Sequence, residues 1–477
     1  MGIDGRFFRI LLSMYKDIKA CVNCSEGLSP PICCQKGVRQ GCNLSPVLFS
    51  LFVNDLEDYL ADSGYSGICL NNKNIRCLLY ADDLVICSSD ILSLQGLLCT
   101  LKSYCDINDL ELNIDKTKTI VFRRGGRLAS NEKWYFQDRL IENVNSYNYL
   151  GLKFSSKGVW TMAQENLSDA AKKSMFSLKR MFSQTINLPV AKYIQVFDAK
   201  VLPILMYGAE LWGSDPHISL ARVYYDFHKY IMGLPRHTPN IVPLGELGRP
   251  DFSCHTKIKV IRYWLRILKH NANRYTKLSY YEQFNLAENN IPSWGLRVKN
   301  ILNSTGFGHV WINQGVANEE NFLDSIKTRL YDIDAQNWFQ SVSTMSSLRT
   351  YISLKTDKNA EPYTYLLHDL GARKTIARLR CGVLDIGVNN ERKNHVIYDQ
   401  RICRFCTLKE IDDEFHYIMT CPFASALRLK YLPRSFVEHP DKFKFNNLML
   451  TDSYSLLKSI FIFVSKSYDL RKSAQTL

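Results

Sequence analysis

Hydrophobic positions recur along the chain at two periods, and the place where one of them stops divides it. Up to about residue 157 the helical and strand periods alternate. Ile3, Phe7, Ile10, Leu11 and Met14 recur at helical spacing and predict a helix over 1–20. "CVNCSEGLSPPICC" (21–34) predicts two short strands joined by a Gly/Pro loop. "GVRQGC" is a glycine-bounded loop. "NLSPVLFSLFVNDLEDYL" then reads as one helix, capped by Asn43 or Ser45 with Pro46 in its first turn. Two apolar runs, read as buried strands, meet at Asp82 and Asp83 in a hairpin over 77–87. A further helix over 91–110 carries Leu92, Leu94, Leu97, Leu98 and Leu101, and "KTKTIVF" and "YNYLGLKF" each read as a strand. Elements mixed this way predict an α+β sheet domain.

From residue 160 the helical period stands alone. Leu167, Ala171, Met175, Leu178 and Phe182 form one stripe, with Lys172, Lys173, Lys179 and Arg180 off it. Helical segments continue to about residue 400, punctuated at 233–235 and 290–295. The predicted divisions are a sheet domain over 1–157, helical domains over 158–240 and 241–395, a Cys/His segment within 396–431 and a tail over 432–477 with little signal.

Composition bounds the classes. The 477 residues, 46% hydrophobic and 12% aromatic, are too many for one core and ample for several. The net charge is +14; residues 1–157 nearly balance theirs, so the excess lies almost wholly in 158–477. Such an excess suits a polyanionic partner, nucleic acid or an anionic membrane surface, or is simply a basic surface. No apolar run reaches 18 residues: Glu210 cuts "VLPILMYGAELW" and Lys458 cuts "LLKSIFIFV", so no spanning helix is expected. An odd count of 15 cysteines and no secretion-type start fit a reduced, intracellular protein of nucleus or cytoplasm.

Two adjacent carboxylates at a hairpin tip repel, and a divalent, oxygen-seeking ion such as Mg²⁺ would relieve them. Turn chemistry alone also explains Asp-Asp. The neighbours change the balance. "GVRQGCNLSPVLFSLFVNDL" (37–56), "LLYADDLVIC" (78–87), "LNIDKTKTIVF" (112–122) and "YNYLGLKFSSKG" (147–158) stand in order, and together they resemble the palm of reverse transcriptases of non-long-terminal-repeat retrotransposons, the long interspersed elements. The resemblance implies RNA-templated DNA synthesis by two-metal phosphoryl transfer, with an RNA template, a DNA primer and deoxynucleotides as partners. It implies that Asp82 is a ligand of catalytic Mg²⁺ and Asp83 an assisting carboxylate. Arg39, Gln40 and Gly41 would lie against template and incoming nucleotide, Lys116 near the nucleotide phosphates, and Tyr149, Leu150 and Gly151 would grip the primer. Lys172, Lys173, Lys179 and Arg180 would touch nucleic acid from the thumb.

In the family a further metal aspartate lies on the strand before the first helix. This chain begins inside that helix, and Asp4 and Asp17 lie on it rather than on a strand. The resemblance therefore implies a chain truncated at its N-terminus, with the later half of the palm and an incomplete metal site. A non-catalytic nucleic-acid-binding protein derived from the same element is the alternative.

"CRFCTLKEIDDEFHYIMTC" sets out Cys403-x₂-Cys406-x₉-His416-x₄-Cys421, a full tetrahedral donor set for one structural Zn²⁺. It resembles the C-terminal Cys/His motif of the same family. Cys21, Cys24, Cys33 and Cys34 are a weaker second set, because adjacent cysteines bind one ion poorly.

Overall fold

The computed structural model describes residues 4–25, 27–34, 36–184, 188–393 and 395–475. The chain separates into two compact units, Met1–Tyr147 and Asn148–Leu477. The break precedes the predicted boundary at 157 because Leu152 is buried in the core of the second unit.

In the first unit the early helix is Gly5–Tyr15, shorter than predicted. It buries no side chain and leaves Phe7, Phe8, Ile10 and Leu12 exposed. The two strands predicted over 21–34 resolve into two small antiparallel pairs, Lys19–Ala20 with Ile32–Cys33 and Asn23–Cys24 with Gly27–Leu28. The long helix predicted after "GVRQGC" is two, Ser45–Phe52 and Leu56–Asp62. Neither Asn43 nor Ser45 caps it; the Ser45 hydroxyl instead donates to the Arg39 carbonyl at 2.6 Å. Helix Ile91–Ile107 starts where the Asp90 carboxylate accepts from the Ser93 amide at 2.7 Å. Strand Lys118–Thr119 runs parallel to Arg139–Asn143, which pairs antiparallel with Trp134–Phe136. Leu56, Leu60, Leu97, Leu101, Trp134 and Ile141 form the core between these elements.

The second unit is helical after a hairpin of Ser146–Tyr149 and Leu152–Ser155 at the passage between units. Helix Thr161–Ser183 buries Leu167, Ala171, Met175, Leu178 and Phe182, the predicted stripe. Its core continues through Trp212, Tyr224, Tyr351, Leu379, Tyr417 and Phe463. Segments that read as separate domains over 158–240, 241–395, 396–431 and 432–477 thus share one core. A second core, around Trp264, Val298, Leu302, Trp311 and Ile326, serves the helices between Phe252 and Thr344. The stretch with little sequence signal ends in the helix Tyr454–Gln475, which buries Leu457, Ile460 and Phe463. Among the described residues no single helix is long and apolar enough to cross a membrane.

Two imidazoles, one enclosed and one half-buried, give the second unit a pH dependence. His228 is fully enclosed, and its Nδ1 lies 2.7 Å from the Tyr224 carbonyl. Burial, then the Arg249 charge, pushes His228 down to about 3; the same causes push His255 down to about 4. Both values lie below the unfolded value of about 6.5, so the unfolded chain takes up protons first. The stability they contribute is complete above pH 6.5 and is lost as pH falls toward these values. Between pH 7 and 5 each should cost about 2 kcal/mol. Urea titrations at both pH values measure this, and His228→Leu should remove about half of the pH slope.

Candidate functional site

The Asp82–Asp83 hairpin is built from its flanks. Strands Cys77–Tyr80 and Asp83–Ile86 pair with Tyr80 opposite Asp83, so Ala81 and Asp82 form a two-residue loop. Ala81 takes φ +51°, a left-handed conformation that costs a non-glycine residue on the order of 1 kcal/mol. Helix Leu56–Asp62 holds the strand base: the Glu57 carboxylate accepts from the amide of Cys77 at 3.0 Å and that of Arg76 at 3.3 Å. Burial, then Glu57, raises the Cys77 thiol above its ordinary range. The predicted burial of the flanks holds only at the base of the hairpin. Cys77 is enclosed and Leu84, Val85 and Ile86 are half-buried, but Leu78, Leu79 and Tyr80, which point to alternate faces, are all exposed toward the tip. Asp82 and Asp83 are exposed at the tip.

Arg39, Gln40 and Gly41 lie exposed on the loop before Ser45–Phe52. Gly41 has φ +84°, which a side chain there would strain. Lys116 lies exposed in the turn before Lys118–Thr119, and its carbonyl accepts from the Tyr147 hydroxyl at 3.0 Å. "YNYLGLKF" is a hairpin rather than one strand: Leu150 and Gly151 have φ +48° and +77°. The Tyr207 hydroxyl donates to the Leu150 carbonyl at 2.7 Å and fixes that turn. Tyr149 packs on Phe154, ring centres 6.1 Å apart. On helix Thr161–Ser183, Lys172 pairs with Asp169 at 2.9 Å, and Lys179 lies over the Tyr230 ring at 4.7 Å. Lys173, Phe176 and Arg180 are exposed along one face of that helix.

The Cys/His segment converges. Cys403, Cys406, His416 and Cys421 each bring a donor atom within 4.8 Å of the others. The Cys403 and Cys421 sulfurs are 4.0 Å apart, and His416 Nε2 is 3.4 Å from the Cys406 sulfur. Tetrahedral ligands at about 2.3 Å from one Zn²⁺ stand about 3.8 Å apart, so the set fits that ion. Local structure explains the spacing. A bridge between Ile402 and Ile411 closes the knuckle, and the Cys403 amide donates to the Glu410 carbonyl at 2.8 Å. His416–Thr420 is a π turn, in which the Cys421 amide donates to the His416 carbonyl at 2.8 Å. That i→i+5 closure brings together ligands five residues apart. His416 Nδ1 lies 2.7 Å from a Glu410 carboxylate oxygen, which leaves Nε2 for a metal. The hydrogen bond from Cys403, helped by His416 and Arg471, holds the Cys421 thiol well below its ordinary range. The same bond and burial raise Cys403.

This is the one group of three or more such side chains that converges among the described residues. Cys21, Cys24, Cys33 and Cys34 do not form a second one. Among the described residues no third carboxylate, imidazole or thiolate joins Asp82 and Asp83, so these two fit only part of a two-ion Mg²⁺ site.

Residues 6–154 match the family model described as reverse transcriptase (RNA-dependent DNA polymerase), and the Tyr80–Asp83 hairpin lies inside the match. These residues belong to the reverse transcriptase family. The curated relatives that the chain resembles are proteins of retrotransposable and other mobile elements. Over 256 residues, 50% of this chain, it is 25% identical to the retrovirus-related Pol polyprotein from type-1 retrotransposable element R2 of Popillia japonica, of which the match covers 34%. It is 22% identical over 195 residues to the RNA-directed DNA polymerase from mobile element jockey of Drosophila melanogaster, 39% of this chain and 20% of that protein. A third relative, 28% identical over 130 residues, is the Pol polyprotein from type-2 retrotransposable element R2DM of the same fly, matched over 26% of this chain and 12% of its own length. The chain thus spans about a third or less of each of these proteins.

Three supports of these residues escaped the sequence reading. Glu57 holds the strand that leads to Asp82, Glu410 meets His416, and Arg471 reaches Cys403 and Cys421 from the last helix. Glu410 alone carried a signal, being an acid between Cys406 and His416.

Proposed function

We propose that this chain serves RNA-templated DNA synthesis for a retrotransposon and supplies part of the catalytic centre. The observation that carries this is the Asp82–Asp83 hairpin tip inside the reverse transcriptase match. Asp82 is a ligand position for catalytic Mg²⁺ and Asp83 assists. A clamp on both the attacking and the leaving oxygen needs more carboxylates than these two. Gly41 lets the backbone of the Arg39–Gln40 loop approach template and nucleotide closely. Lys116 faces the phosphates of the nucleotide, and the Leu150–Gly151 turn, held by Tyr207, supports the primer. Lys173 and Arg180 supply exposed cations for backbone phosphates. Cys403, Cys406, His416 and Cys421 hold a structural zinc ion, which ties the knuckle to the π turn. The second reading is a non-catalytic nucleic-acid-binding protein of the same origin; the basic excess in the second unit and the incomplete carboxylate set favour it.

Primer extension on an RNA template, with Mg²⁺ and deoxynucleotides, tests both. The chain alone should not exceed its Asp82→Asn variant; extension above that control would overturn the incomplete centre. A chimera with an aspartate-bearing palm strand from an active reverse transcriptase placed before Met1 should extend the primer. Asp82→Asn in that chimera should lower the rate at least about 100-fold. A folded chimera that binds the template but does not extend would decide for the non-catalytic reading.

A further inference from the structure

Arg471, near the end of the helix Tyr454–Gln475, is almost fully enclosed. Its Nη2 lies 3.7 Å from the Cys403 sulfur and 3.6 Å from that of Cys421, while Nη1 pairs with Asp412 at 2.9 Å. The guanidinium is sandwiched between Phe405 at 4.7 Å and Tyr417 at 4.5 Å from the ring centres. Phe405 sits inside the Cys403–Cys406 knuckle and Tyr417 follows His416, so the sandwich is built from the two ligand-bearing turns. Asp412 in turn accepts from the Gly387 amide at 2.7 Å.

A buried guanidinium is costly unless its donors meet strong acceptors. A neutral thiol sulfur is a weak acceptor, whereas a thiolate is a charged one. One arm of Arg471 has its carboxylate; the other is aimed at two sulfurs and is matched only when they are thiolates, as they are on a metal. From this we infer that Arg471 is the outer-shell cation of the Cys/His centre. It donates to two of the three thiolates and makes the last helix part of the metal site. The inference rests on the zinc reading above. Arg471 touches no metal; it is a positioning residue. It should slow metal loss and lower the reactivity of Cys403 and Cys421. Loss of an outer-shell partner typically costs 10–100-fold in metal affinity.

The test uses the full 477-residue chain loaded with zinc, compared with Arg471→Met and Arg471→Lys. Zinc release to a chromogenic chelator should be about 10–100-fold faster in Arg471→Met. Iodoacetamide should alkylate Cys403 and Cys421 of the loaded variant faster than in the wild type. With cobalt(II) in place of zinc, the sulfur-to-metal charge-transfer band should move to lower energy, a shift that lost packing elsewhere would not produce. Should Arg471→Met fail to fold, Arg471→Lys decides. Its compact ammonium keeps the charge but cannot bond Asp412 and two sulfurs in one plane, so release should still be several-fold faster. Release, alkylation and band energy equal to wild type in the folded variant would overturn the role of Arg471 alone. A wild-type chain that binds no zinc would overturn the zinc reading and this inference with it.

Discussion

Arg380→Met should cost the second unit about 3–5 kcal/mol, the range for breaking a buried ion pair from one side. Arg380 and Glu246 are both essentially inaccessible to solvent. Arg380 Nε lies 3.1 Å from Glu246, Nη2 lies 2.7 Å from Glu361, and Nη1 donates to the Met449 carbonyl at 2.7 Å. The Tyr363 hydroxyl donates to Glu246 at 2.6 Å, and Lys355 pairs with Glu361. One guanidinium therefore joins the helix Ile241–Glu246, the segment before Pro362–Leu366, and the end of Lys442–Met449. A methionine fills much of the volume but, among the described residues, leaves Glu246 with the Tyr363 phenol as its strong partner and takes the guanidinium from the Met449 carbonyl. The denaturation midpoint should fall while the slope of the urea transition stays the same. Because both partners act as one unit, Glu246→Gln added to Arg380→Met should cost much less than it does alone. The exposed pair Lys172–Asp169 supplies the control: Lys172→Met should change stability by at most about 0.5 kcal/mol. A comparable loss at both lysine and arginine would mean that the buried network contributes nothing special.

What was legible in the sequence follows the range of the forces involved. The Asp82 hairpin was readable because apolar runs on both sides of two acids define register and loop together. The stripe Leu167–Phe182 was readable because one helix face meets one core. The hairpin at Leu150 was hidden, since a leucine with φ +48° does not announce a turn, and the hydroxyl that fixes it comes from Tyr207. The break at Val53–Asp55 carries no glycine or proline. The Cys/His ligands could be named from spacing, but not the π turn that joins them. Arg471 lies fifty residues beyond Cys421, in a helix whose importance shows only in what it packs against. The order of family motifs likewise points to polymerase chemistry more clearly than the local geometry does, because Asp82 and Asp83 converge with no third ligand among the described residues.

Removing zinc should destabilise far more than the 19 residues from Cys403 to Cys421. The π turn that carries His416 also carries Tyr417, Ile418 and Met419, all buried in the main core of the second unit. The Tyr417 hydroxyl donates to the Val464 carbonyl at 3.1 Å on the last helix. Arg428 donates to the Ile418 and Cys421 carbonyls at 2.6 and 2.8 Å. In the zinc-bound state proposed above, metal bonds would hold the ends of this turn, and the turn holds core side chains, so losing the ion should loosen both. A ligand that binds only the folded state at a thousand times its dissociation constant contributes about 4 kcal/mol, and a structural zinc site lies at or beyond that level. Treatment with a zinc-selective chelator, or Cys421→Ser, should therefore lower the denaturation midpoint of the second unit. It should also speed amide exchange in 416–421 and 454–475 together. Returning zinc should restore the chelated protein, whereas Mg²⁺ should not, because thiolates and imidazole suit the softer ion. Unchanged exchange in 454–475 after verified metal removal would mean that the last helix is held by its apolar face alone, through Leu457, Ile460 and Phe463, and that the Cys/His turns fold on it without the ion.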